Sequence, residues 1–207
     1  MLRVLVVGLV VLVAAMFLLP RPSSAPLKSA TLLQQPLALP PVALVDAAGM
    51  PADLEAFRGK FSLLFFGFTN CPDVCPLTLK VLADARAQLA GRYPSAVPQV
   101  VFVSVDPSRD TPERIAAYLR NFDGAFVGLT AADSRLAPLL KALGVTVQKH
   151  QHGGEDYTVV HNSTVYVIGP NAELIATSSG PHEAATIAAD YLKIRQRYQA
   201  AHRAPSA

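Results

Sequence analysis

The chain has 207 residues, 18 basic and 15 acidic, and its net charge of +3 comes without a basic stripe, which excludes the electrostatic footprint of a nucleic-acid binder. A chain of this size has room for one domain with a full hydrophobic core. Its two cysteines, Cys71 and Cys75, lie within one helical turn of each other instead of being spread as a disulfide framework, so they mark a site and not a set of staples.

Val4 to Leu19 form an uninterrupted apolar run behind Arg3, the pattern of a signal-peptide core or a short membrane span. At ~1.5 Å per residue the run covers about 24 Å, so Met1, Leu2 and snorkelling of Arg3 and Arg21 must help it fit a bilayer. Ser23-Ser24-Ala25 followed by Pro26 is an imperfect cleavage context, and no cysteine is present there for lipid attachment. An uncleaved membrane anchor over residues 1–20 is therefore expected. From Pro20 to Pro41 six prolines are interspersed with Ser, Ala and Gln, a composition that resists packing and predicts a spacer over 21–41. The folded domain is expected over 42–207.

Within that domain, Phe61 to Phe68 is a short apolar, aromatic run flanked by Gly59 and the Asn70-Cys71-Pro72 break, which predicts a strand buried on both faces. After the cysteines, Leu82, Ala85 and Leu89 form the stripe of a helix from Leu77 to Gly91. Val100 to Val105 reads as a second buried strand. Asp110-Thr111-Pro112-Glu113 offers N-cap, first-turn proline and capping-box chemistry for a helix to about Asn121. Ala125 to Leu129 reads as a short strand, and Asp133 to Leu143 as a helix stopped by Gly144. Ser163 to Ile168 and Glu173 to Thr177 read as a hairpin around Gly169-Pro170-Asn171. In the closing helix, from about Pro181 to Arg203, Ile187, Tyr191, Ile194 and Tyr198 share one face. Alternating strands and helices followed by a hairpin and a helix predict an α/β fold, a thioredoxin-like mixed sheet flanked by helices.

In Cys71-Pro72-Asp73-Val74-Cys75, a helical turn would bring the two Cα atoms to ~6 Å, close enough for both sulfurs to meet one atom or each other. At a helix N-terminus both thiols should feel the positive end of the dipole, which favours thiolate. The spacing leaves metal binding, redox exchange and a plain disulfide open. A bridge closing so small a loop would constrain little of the unfolded chain, which argues against a purely structural one.

Phe66-Gly67-Phe68-Thr69-Asn70-Cys71-Pro72-Asp73-Val74-Cys75-Pro76 resembles the signature of the Sco/SenC family of copper chaperones. Val103-Ser104-Val105-Asp106-Pro107-Ser108-Arg109-Asp110-Thr111-Pro112 resembles that family's second block, and Tyr157-Thr158-Val159-Val160-His161 its third. The resemblance runs from about Leu39 to Tyr198, and the three blocks together are far more specific than any one. It implies copper as the bound metal, with Cys71, Cys75 and His161 as ligands and Cys71 and Cys75 as a redox disulfide pair. It also implies a single-pass protein of the bacterial inner membrane with its domain in the periplasm. The implied partners are the copper-binding subunit of cytochrome c oxidase, a periplasmic copper donor and a thiol reductant. Two thiolates and one imidazole make a low-coordinate site suited to copper(I), whereas structural zinc takes four protein ligands.

Two positions depart from the family pattern. Val160 stands where an aspartate commonly precedes the histidine, so His161 is expected to lack an orienting carboxylate, and Asn70 stands where histidine is frequent. His150 and His152 read as part of a polar, glycine-ended loop, solvated more readily than copper-collecting. Asp106 and Asp110 read as turn and cap residues. An alternative function is a thiol-disulfide oxidoreductase that reduces the target's copper-ligand cysteines. Against it stand three residues between the thiols instead of two, and a histidine that disulfide exchange does not need. A peroxiredoxin is weaker still, because no threonine stands three residues before Cys71.

Overall fold

The computed structural model describes residues 25–203 apart from 154 and 155. The anchor expected over 1–20 lies outside the described residues, and no helix among those described is long and apolar enough to cross a membrane.

The expected spacer is only partly one. Residues Ala30–Ala38 form strand β1, paired antiparallel with the strand near the C-terminus. Its exposed side is polar or solvent-facing, and Pro36 lies where the register breaks between Leu32 and Leu37. A buried carboxylate holds this strand in place: Asp190 accepts hydrogen bonds from the backbone N–H groups of Lys28, Ser29 and Ala30 at 2.8–3.1 Å. These donors draw the Asp190 carboxyl below its usual range although burial pushes the other way. The folded unit thus begins before Val42.

The chain then makes two small strands, β2 (Leu44–Asp46) and β3 (Pro51–Ala52), and a 3-10 turn over Leu54–Phe57. Strand β4 (Ser62–Gly67) is buried at every residue, as its unbroken apolar run requires. Helix α1 (Val74–Arg92) buries Leu82, Ala85 and Leu89 as expected. Strand β5 (Gln99–Ser104) runs parallel to β4, with Phe65 opposite Phe102. Helix α2 (Pro112–Leu119) packs on β6 (Val127–Thr130), where a Cβ on Gly128 would fall 2.4 Å from Ile115 Cγ2. Helix α3 spans Asp133–Ala142.

Next comes a hairpin that the sequence reading lacked, β7 (Val147–Gly153) with β8 (Asp156–His161). It forms a two-stranded sheet of its own. His150 and His152 therefore sit in a strand, not a loop. The expected hairpin β9 (Val165–Ile168) and β10 (Glu173–Ser178) follows, and α4 (Ala184–Arg203) closes the chain. Ile187, Tyr191 and Ile194 of α4 are buried, and α4 packs along α1.

The main sheet has the order β1-β10-β9-β4-β5-β6-β2-β3. At its centre β4 and β5 are parallel while β9 and β10 run antiparallel, the mixed thioredoxin-like arrangement expected. The cysteine segment leaves the C-terminal end of β4, the end of a parallel strand where open α/β sheets place their sites.

Candidate metal centre

Gly67 ends β4, and a Cβ there would come within 2.7 Å of Phe102 Cε2 and 3.1 Å of Cys75 Sγ. Only glycine lets the thiol lie against the strand. Pro72 disfavours helical backbone in the residue before it, and Cys71 accordingly stays in the loop, its N–H bonded to Phe68 O at 3.2 Å. Helix α1 starts at Val74, so Cys75 alone of the pair occupies its first turn. The sulfurs still converge, because the Cys75 N–H donates to Cys71 Sγ at 3.4 Å.

The two thiols are not equivalent. Cys75 is fully buried and Cys71 half-buried. The Cys75 side chain donates to the Cys71 sulfur, and this, with the backbone N–H groups of Asp73 and Cys75, brings Cys71 down to about 4 against the opposing effect of burial. The same hydrogen bond, followed by burial, pushes Cys75 up. The expectation that the helix terminus favours thiolate at both positions is corrected. The two thiols shift in opposite directions, Cys71 towards thiolate and Cys75 towards thiol.

Iodoacetamide should therefore alkylate Cys71 at a rate that changes by less than about twofold between pH 8 and pH 5. A thiol of ordinary pKa near 8.5 slows about tenfold per pH unit. Mass-spectrometric rates following that ordinary slope would rule out the assigned thiolate.

His161, the last residue of β8, supplies the third donor. Its Nε2 lies 3.2 Å from Cys75 Sγ, and its Nδ1 lies 2.9 Å from Asn162 O. A carbonyl can only accept, so Nδ1 carries the proton and Nε2 presents its lone pair to the sulfurs. The Phe65 and Phe68 rings stand edge-on to the imidazole at 6.0 and 5.8 Å. His161 lacks an orienting carboxylate at position 160, as expected, and Asn162 O orients the ring instead; Val160 itself is 53% exposed. Asn70, the other departure, accepts a hydrogen bond from Arg114 Nη2 on α2.

The ligand-type atoms of Cys71, Cys75 and His161 all lie within 4.8 Å of one another. No other group of three such donors converges among the described residues, and His150 is exposed on β7. Two sulfurs and one imidazole nitrogen form a soft, three-donor set that leaves room for a further ligand.

Two carboxylates read from sequence as turn and cap residues do more than that. Thr111, not Asp110, caps α2. Asp110 instead accepts from Thr69 N at 2.9 Å, Thr69 Oγ1 at 2.6 Å and Ser104 Oγ at 2.6 Å. Asp106 accepts from Arg109 Nε at 2.5 Å and from the Tyr157 hydroxyl. Both are buried, 0% exposed for Asp106 and 1% for Asp110, and the partners that take them beyond a turn role, Tyr157 and Thr69, are distant in the chain.

The family model described as SCO1/SenC matches residues 31–196. Protein SCO1 homolog 2, mitochondrial, of Arabidopsis thaliana is 35% identical over 147 residues, covering 71% of this chain and 53% of its own. Protein SCO2, mitochondrial, of Saccharomyces cerevisiae is 35% identical over 137 residues, 65% of this chain and 45% of its own. The chain thus spans about half the length of these two relatives. Among solved structures, apo Sco1 from Thermus thermophilus is 35% identical with a TM-score of 0.71, covering 86% of this chain and 99% of that one. Yeast Sco1 with copper bound is 28% identical with a TM-score of 0.71, covering 83% and 96%.

Proposed function

Because this chain belongs to the SCO1/SenC family, we propose that it carries copper(I) as cargo between Cys71, Cys75 and His161 and delivers it to the copper-binding subunit of cytochrome c oxidase during that enzyme's assembly. The observation that carries this reading is the convergence of two sulfurs and one Nε2 within 4.8 Å, with the tautomer of His161 fixed by Asn162 O. Copper bound in the yeast relative's structure supports the choice of metal. Cys71 offers a ready thiolate, while Cys75 must release its proton when the metal enters, so loading liberates acid. Cys71, the more exposed of the two thiols, is the one a partner's ligand would reach first. The apolar run Val4 to Leu19 supports tethering to the bacterial inner membrane with the domain in the periplasm, where a copper donor and a thiol reductant would serve it.

The inequality of the thiols favours a second activity on the same residues. The Cys71 thiolate would attack a target disulfide and release one target sulfur as thiolate. Cys75, giving up its proton, would then attack Cys71 Sγ and release the second. The target gains two electrons and the pair becomes the Cys71–Cys75 disulfide. Protein purified under anaerobic reducing conditions is expected to hold one copper(I) per chain, and the oxidised form none, because a disulfide offers no thiolate. Reduced protein that binds no copper(I) while still reducing disulfides would leave the oxidoreductase reading alone standing.

A further inference from the structure

The thiol pair and the imidazole come from parts of the chain 86 residues apart, and the hairpin that bears His161 belongs to a different sheet from the strand that leads to the cysteines. Val165, four residues after His161, pairs with Phe65 of β4 and anchors the end of the hairpin, while the length of β8 ahead of His161 needs a hold of its own. Candidates from the hairpin side are few. Lys149 reaches Asp133 at 2.9 Å, but the carboxylate is 64% exposed, and such surface pairs contribute little.

The loop between β5 and α2 holds both halves. Through Asp110 it grips Thr69, two residues before Cys71. Through Asp106 and Arg109 it grips Tyr157, four residues before His161 on β8. The Tyr157 hydroxyl donates to Asp106 Oδ1, Arg109 Nη1 donates to the Tyr157 carbonyl at 3.0 Å, and the Arg109 guanidinium lies 3.8 Å from the centre of the Tyr157 ring. Arg109 Nε in turn pairs with Asp106 Oδ2, whose side chain is 0% exposed. Backbone, hydroxyl and ring of one residue are thus held by a single ion pair whose carboxylate is fully buried. A charge-assisted contact of this kind fixes geometry more firmly than neutral bonds do.

We propose that Asp106, Arg109 and Tyr157 form a latch of positioning residues that holds β8, and so His161, at the separation from the thiols at which three donors close on one ion. The latch touches neither metal nor thiol. Residues 157 and 161 lie on the same face of β8, so a shift of Tyr157 is passed along a strand to the imidazole. The inference rests on the copper reading above.

The test is a double-mutant cycle on the full chain, read as copper(I) affinity by anaerobic competition with a chromophoric chelator. Tyr157→Phe removes the hydroxyl donor and keeps the ring beneath Arg109. Arg109→Lys keeps the charge and loses the fork. Each should weaken copper(I) binding about 10- to 100-fold, the usual effect of losing a group that orients a ligand. In a His161→Ala background the same changes should shift affinity by less than about twofold. Equal losses in both backgrounds would overturn the latch. Should Arg109→Lys fail to fold, Tyr157→Phe alone decides. Amide hydrogen exchange of the apo protein gives a metal-free reading: residues 157–161 should lose protection in Tyr157→Phe while β4 does not. Unchanged exchange there would also overturn the latch. Wild-type protein that binds no copper(I) through His161 would instead refute the copper reading and leave exchange to judge the latch.

Discussion

Replacing Cys75 with alanine is expected to weaken copper(I) binding by well over the ~100-fold that follows loss of a merely orienting partner. Cys75 is the hub of the donor set. Its Sγ lies 3.2 Å from His161 Nε2, its N–H donates to Cys71 Sγ, and its sulfur is seated against Gly67. Without it, a two-donor remnant of one loop sulfur and one strand imidazole remains. The same substitution removes the largest of the influences that stabilise the Cys71 thiolate, so alkylation of Cys71 should become more dependent on pH than in the wild type. Anaerobic competition titration measures the first effect and alkylation rates the second. Affinity within tenfold of wild type would exclude Cys75 as a ligand.

The largest effect on stability is expected for Phe65→Ala. Phe65 is 0% exposed at the middle of β4, paired with Phe102 on one side and Val165 on the other. Its ring lies 6.5 Å from that of Phe102 and 6.0 Å from His161. Truncation loses the transfer free energy of the ring and leaves a cavity that the central strands cannot close, a cost of about 3–5 kcal/mol. For a domain of this size that corresponds to a melting temperature lower by roughly 6–20 °C. Urea unfolding should show a lower midpoint with an unchanged slope. A loss below about 1 kcal/mol would mean that the ring is not part of a packed core. Copper(I) affinity should fall far less than in Cys75→Ala, since the ring supports the imidazole without binding the ion.

The elements read correctly from sequence are those whose cause is local. The run Phe61 to Phe68 could be only a buried strand, and the spacing of Leu82, Ala85 and Leu89 could be only a helix face; both are found. Strand β1 was missed because Pro36 reads as a breaker and its stabilising partners, β10 and Asp190, are far along the chain. The β7–β8 hairpin was missed because β7 is a run of polar residues, Gln148-Lys149-His150-Gln151-His152, and Val160 breaks the apolar and polar alternation of the sequence in β8. At the site, the cysteine spacing was legible by itself, but nothing local singled out His161, which entered through the resemblance of three blocks. The inequality of the thiols could not be read at all, because it depends on which sulfur the fold buries. Asp106 and Asp110 looked like turn residues for the same reason: their donors, Tyr157 and Thr69, lie in other segments.

The two outermost strands of the main sheet, β1 and β3, both contain a proline, Pro36 and Pro51. A proline has no N–H to donate, and β1 is further interrupted by its break in register, while β3 is only two residues long. Neither rim presents the long regular row of donors and acceptors onto which a second copy could add a strand. Copies of the chain that meet are thereby denied a ready edge for strand addition at either rim of this sheet.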